Sequence, residues 1–147
     1  MEIKKFGVIG AGQMGNGIAQ VAAAAGLSVL MSDIKDEFTK KGVANIEKNL
    51  ARSVEKGKLD PAERDAILGR ISTTVGLADM AGVDYVVEAA VEREDLKFQI
   101  FKDLDAFCPS HTILATNTSS IPIGRIAAQT KRPEKVIGMH FMNPVPV

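Results

Sequence analysis

Short apolar runs alternate along this chain with longer stretches whose apolar residues recur every three or four positions. The runs KKFGVIG (4–10), LSVLMSD (27–33), VDYVVEAAV (83–91) and HTILATN (111–117) read as buried strands. ISTTV (71–75) reads as a short strand, and EKVIGMHF (134–141) as a last strand that carries His140. Between them, GQMGNGIAQVAAAAG is alanine-rich and helix-prone, with Gly26 as its stop. A long polar helix is predicted from Asp36 to about Lys58, packing through Val43, Ile46, Leu50 and Val54. LDPAERDAILGRI predicts a second helix with Asp60 as N-cap, Pro61 in its first turn and Gly69 as stop. REDLKFQIFKDLDAF is amphipathic, with Leu96, Ile100, Phe101 and Leu104 inward, and IPIGRIAAQ is a short helix. Strands alternating with helices imply parallel strands joined by crossovers, hence a doubly wound, mostly parallel α/β sheet with a long helical insertion after the second strand.

Composition narrows the function classes. With 147 residues, 46% hydrophobic and 24% charged, the chain has the make-up of one soluble domain. Its formal net charge is zero, which gives no electrostatic case for nucleic acid or a membrane surface. No apolar run approaches the roughly 20 residues of a membrane span, and the N-terminus does not read as a signal peptide. The single cysteine, Cys108, cannot form an internal disulfide, so a cytoplasmic location is expected. No metal site is expected.

Candidate chemistry begins at Gly10-Ala11-Gly12-Gln13-Met14-Gly15, a G-x-G-x-x-G run that follows a predicted strand and opens a predicted helix. Asp33 ends the next strand, 18 residues after Gly15. That context marks a dinucleotide-binding βαβ unit. Gly10 allows the tight turn, Gly12 lets the backbone approach a pyrophosphate, and Gly15 lets the helix pack close to the strand. Asp33 would accept hydrogen bonds from the adenosine ribose and repel a 2′-phosphate, so NAD is expected rather than NADP, although Lys35 nearby softens that preference. No G-K-[ST] follows, which excludes a nucleoside triphosphate loop.

Four segments, GVIGAGQMGNGIAQ, VVEAAVEREDLK, ATNTSS and GMHFMNPVPV, occur in this order and span nearly the whole chain. With them the chain resembles the 3-hydroxyacyl-CoA dehydrogenases. The resemblance implies that His140 is the catalytic base. Ser119 would contact the substrate hydroxyl and the cofactor, and Asn143 would help hold the nicotinamide and the reacting acyl group. It implies that Glu92 and Lys97 line the cofactor site, and that Asn49 and Lys56 meet the coenzyme A portion of an acyl-CoA substrate. On the residues alone, Ser119 reads as a helix N-cap, for which Ser120 would serve equally, and Asn143 as a turn former. Glu92 reads as a helix-start acid, Lys97 as a solvated lysine, Glu88 as structural and His111 as a surface residue.

The same resemblance implies that residues 1–147 are the NAD-binding domain of a longer enzyme. A C-terminal helical domain would close the acyl pocket, form a homodimer and supply a glutamate that orients the histidine. On this reading the isolated chain lacks full activity. Its terminal run Phe141–Val147 is expected to be disordered or to pack against another chain. Two other functions fit parts of the sequence: a β-hydroxyacid dehydrogenase acting on a free acid, and a non-catalytic NAD-binding module.

Overall fold

The computed structural model describes residues 1–147. Six parallel strands form one sheet: β1 (Lys5–Ile9), β2 (Ser28–Asp33), β3 (Ile71–Val75), β4 (Tyr85–Glu88), β5 (Ile113–Thr116) and β6 (Val136–Gly138), in the order β3-β2-β1-β4-β5-β6. The order reverses between β1 and β4, so a crevice opens at the carboxyl ends of those two strands. Helices α1 (Gln13–Ala24), α2 (Asp36–Glu55), α3 (Pro61–Gly69), α4 (Glu94–Phe107) and α5 (Ile123–Ala127) cover the faces.

Strand periodicity divides the core in two. Phe6 and Val8 of β1, Val87 of β4 and Ala115 of β5 face a cluster with Ile18, Met31, Ile46 and Ile67 under α1–α3. Ile9, Val86 and Leu114 face the opposite cluster, with Phe101, Leu104 and Ile126 under α4 and α5. Both faces are covered, which is why the central strands are apolar throughout rather than alternating. Fully burying a side chain such as Phe101 or Leu104 contributes about 1.5–3 kcal/mol.

The predicted elements are all present, with shifted ends. α2 stops at Glu55, before Gly57 turns the chain. Gly26 follows α1 as expected, its N–H donating to the Ala23 carbonyl. Gly69 does not stop α3; it lies inside the helix, and Arg70 closes it, its side chain donating to the Ala23 carbonyl at 2.8 Å. Asp60 stands at the N-cap of α3, but its carboxylate makes no capping bond.

The last strand is much shorter than the apolar run suggests. β6 ends at Gly138 because its partner β5 ends at Thr116. Met139 N–H still donates to the Thr116 carbonyl, and then the Asn117 side chain takes over, its Oδ1 accepting Phe141 N–H at 2.7 Å. His140 is therefore on a loop and exposed, not inside a strand. The terminal run also departs from expectation: Met139, Phe141 and Val145 pack on the core cluster of the same chain, with Val145 lying against Gly17. Met142 and Val147 remain exposed.

Opposite the crevice, the Asp84 carboxylate gathers the backbone N–H groups of Lys4 and Lys5, both at 3.0 Å, and His111 Nε2 at 3.0 Å. These bonds, led by that of Lys5, hold the Asp84 carboxyl well below the ordinary carboxylate range. No helix is long and apolar enough to cross a membrane.

Cys108 is buried, and its Sγ donates to the Met80 carbonyl at 3.5 Å. Burial pushes the thiol up to about 11. A disulfide reagent at pH 8 is expected to leave native protein unlabelled and to titrate one thiol after denaturation. Rapid labelling of the native state would show this region to be open.

Candidate active site

The turn from β1 to α1 is set by one close approach. A Cβ added at Gly15 would stand 1.7 Å from the Gly10 carbonyl oxygen, and Gly10 itself has φ +101°. No other residue type fits either position without moving the strand or the helix. Gly12 differs: an added Cβ would meet nothing within 4 Å. It faces open space at the uncapped N-terminus of α1, where unpaired N–H groups and the helix dipole favour a phosphate. A dinucleotide therefore fits this turn, with room left at Gly12 for the pyrophosphate.

Asp33 stands at the end of β2. Its Oδ2 accepts Ala11 N–H at 2.8 Å, and its Oδ1 accepts Ile34 N–H at 2.7 Å. The carboxylate thus braces the glycine turn and lies in a cleft of about 460 Å³ with Gly10, Gly12, Leu77 and Val91. The apolar part of this cleft, from Leu77, Leu96 and Ile100, suits a flat heteroaromatic ring.

A second cleft of about 470 Å³ brings together Met14, Glu92, Lys97, Ser119, His140 and Asn143. Residues far apart in sequence meet here because the carboxyl ends of β1, β4, β5 and β6 converge. Ala89, Ala90 and Val91 line both clefts and form the wall between them. His140 is exposed, and the one histidine–carboxylate pair in the chain is His111 with Asp84. Asn143 Oδ1 accepts from Gln13 Nε2 at 3.1 Å, tying the terminal run to the glycine turn.

Neither serine before α5 caps it. Pro122 holds the cap position, and Thr118 Oγ1 accepts the N–H groups of Ser120 and Ile121, both at 3.3 Å. That leaves the Ser119 side chain exposed and facing the cleft. Glu92 accepts from Thr118 Oγ1 at 2.6 Å, Ser120 Oγ at 2.7 Å and Lys97 Nζ at 3.0 Å. Burial opposes its ionisation, but these three bonds outweigh that and hold its carboxyl down at about 2.

Lys97 is not solvated. Its side chain is only 1% exposed, and its ammonium forms an ion pair with the equally buried Glu88. The helical pattern hid this, because a lysine beside the inner face of an amphipathic helix ordinarily reaches solvent. Asn49 and Lys56 lie outside both clefts. Asn49 Nδ2 donates to Gln20 Oε1 at 3.3 Å, and Lys56 is exposed just past α2. A groove of about 640 Å³ between the glycine turn and α2 contains Lys41, Asn45 and Lys48, which the sequence reading did not single out. Lys41 and Lys48 are seven residues apart, on one face of the helix, and that spacing was the available signal.

Residues 5–147 match the family described as "3-hydroxyacyl-CoA dehydrogenase, NAD binding domain". The chain is 53% identical over its whole length to a Bacillus subtilis protein named "Probable 3-hydroxybutyryl-CoA dehydrogenase", of which it covers 51%. It is 51% identical over 99% of its length to the 3-hydroxybutyryl-CoA dehydrogenase of Bradyrhizobium diazoefficiens, covering 50% of that protein. The crystal structure of (S)-3-hydroxybutyryl-CoA dehydrogenase from Ralstonia eutropha superposes with a TM-score of 0.97 at 46% identity, covering 99% of this chain and 52% of that one. The chain thus spans about half the length of these relatives.

The two glycines separate folding from binding. Gly15→Ala is expected to lower the melting temperature sharply or to prevent folding. Gly12→Ala should leave the melting temperature unchanged and weaken NADH binding at least tenfold, as read by fluorescence titration. Equal effects of the two on stability would remove the argument for Gly12.

Glu92 gives a pH signature. Its folded carboxyl titrates near 2, below the value of an unfolded glutamate, so its stabilising contribution is full above about pH 4.5 and is lost as pH falls towards 2. The melting-temperature difference between the wild type and Glu92→Gln should therefore be constant from pH 8 to 5 and shrink between pH 4.5 and 3.

Proposed function

The chain belongs to the 3-hydroxyacyl-CoA dehydrogenase family as an NAD-binding domain, and from that membership we propose that it supplies the cofactor-binding half and the catalytic histidine for the interconversion of (3S)-3-hydroxyacyl-CoA and 3-oxoacyl-CoA. The observation that carries the reading is the meeting of Ser119, His140 and Asn143 in one cleft, separated only by the Ala89–Val91 wall from the cleft at the glycine turn.

NAD, when bound, supplies the acceptor for the hydride that leaves C3 of the substrate. His140 takes the proton from the 3-hydroxyl, so the alcohol becomes a ketone as one hydride and one proton depart. Imidazole suits this step because its ordinary pKa lies near neutrality. The Ser119 hydroxyl, free of any capping duty, hydrogen-bonds the reacting oxygen. Asn143, anchored through Gln13, orients the acyl group and the carboxamide side of the cleft. Gly10–Gly15 and Asp33 hold the pyrophosphate and the adenosine ribose. Along α2, Asn49 and Lys56 meet the coenzyme A portion, and the ammonium groups of Lys41 and Lys48 extend the same positive face.

The rest of the acyl pocket, the carboxylate that orients His140 and the homodimer surface are assigned to the further length that the relatives possess. Action in the cytoplasm belongs to the same reading, since a lone buried thiol such as Cys108 is at home in a reducing compartment. Relatives at about 50% identity are named for a CoA thioester, which supports a thioester rather than a free acid as the substrate. A purely sensory role gives Ser119, His140 and Asn143 no task in common.

NADH fluorescence should saturate with the 147-residue chain. Its reduction of acetoacetyl-CoA should run about 10⁴-fold below that of the Bacillus subtilis relative, the scale on which losing an orienting carboxylate costs a triad enzyme. The residual turnover should vanish in His140→Ala. Turnover that survives that substitution, or activity on a free 3-hydroxy acid and none on its thioester, would overturn the proposal.

A further inference from the structure

The wall between the two clefts contains a charge cluster that the proposed reaction does not use. Glu88, at the end of β4, is fully buried. Its Oε1 accepts the Thr116 hydroxyl at 2.7 Å, and its Oε2 accepts Ala90 N–H at 2.7 Å and Lys97 Nζ at 2.5 Å. Lys97 has three N–H groups and three acceptors: Glu88, Glu92 Oε1 at 3.0 Å and the Ala90 carbonyl at 3.2 Å. Its ammonium keeps no donor for a ligand. Glu92 and Lys97 line the cleft, and of the three charged groups only Glu92 is open to solvent, with its side chain 50% exposed. Two carboxylates and one ammonium leave the cluster one net negative charge, set in the lining of the cleft that holds His140.

We infer that Glu88 is a positioning residue which, by neutralising Lys97 from behind, leaves the Glu92 charge uncancelled and so shifts the balance of cofactor affinities toward the oxidised form. This rests on the reading that the nicotinamide ring enters the His140 cleft. The ring of NAD⁺ carries a positive charge, and that of NADH carries none. A fixed negative charge beside it therefore stabilises one form and is indifferent to the other. At a separation of about 8 Å and an effective dielectric of about 40, the Coulomb difference corresponds to roughly fivefold in relative affinity. Without the Glu88 charge, Lys97 would cancel Glu92 and the shift would be lost. Glu88 does this without touching the ligand, because Lys97 stands between it and the cleft.

Dissociation constants for NADH and NAD⁺, from fluorescence titration and calorimetry at pH 8, give the ratio Kd(NAD⁺)/Kd(NADH). Glu88→Gln keeps the shape and the acceptor for Ala90 and Lys97 but removes one negative charge, and the ratio should rise about fivefold. Glu92→Gln, at a half-exposed site, should raise it in the same direction. The double variant Glu88→Gln/Lys97→Met restores a net charge of minus one and removes both partners of the buried pair together, a change that proteins often tolerate. Its ratio should return to that of the wild type. Should Glu88→Gln fail to fold, Glu92→Gln and the double variant decide the matter. If the folded variants weaken or preserve both affinities together, at a constant ratio, Glu88 is merely structural and the inference falls while the proposed function stands. A wild-type chain that binds neither cofactor would overturn both.

Discussion

The Gly10 carbonyl lies so near the backbone of Gly15 that a single added carbon there would stand 1.7 Å from it. That contact fixes how tightly α1 can close on the end of β1, and much of the site follows from it. It directs the uncapped N-terminus of α1 at the crevice where the strand order reverses. It brings Ala11 N–H within reach of Asp33, and Gln13 within reach of Asn143. A looser helix would forfeit the turn, the carboxylate brace and the anchor of the terminal run together.

A common device finishes the strands. Where the ladder stops, a polar side chain at a strand's end accepts an N–H that would otherwise lose its partner. Asp33 takes Ala11, Glu88 takes Ala90, the Thr116 hydroxyl takes Thr118, and Asn117 takes Phe141. Each such bond turns the chain out of the sheet at a defined point, so the loops that carry Ser119 and His140 start from fixed positions. Buried N–H groups rarely go unpaired, and here the requirement itself shapes the cleft.

Much of this was legible in the sequence. The apolar runs of β1, β2, β4 and β5 and the glycine run after β1 sufficed for an open parallel sheet and its cofactor turn, because both depend on local pattern. The length of β6 was not legible, since it depends on where β5 ends and on Asn117 replacing the ladder, and both are facts of pairing. The burial of Lys97 was hidden for the same reason. Its partner Glu88 is nine residues away on a different element, and a charge pattern along one helix cannot reveal an acceptor behind it. The ordering of the terminal run depended on Gly17 leaving room for Val145, a contact between the two ends of the chain.

The first strand of this sheet in chain order is also a central one. β1 pairs with β2 on one side within a few tens of residues, but its other neighbour, β4, arrives far later: Lys4 N–H waits for a carboxylate 80 positions on. At translation speeds of about 5–20 residues per second, that interval lasts roughly 4 to 16 seconds. Throughout it the nascent half-sheet presents the unpaired edge of KFGVI, four of whose five residues are buried in the finished domain, to its surroundings. The ribosome thus releases this domain through an obligatory adhesive stage, and the arrival of Tyr85–Glu88 ends it.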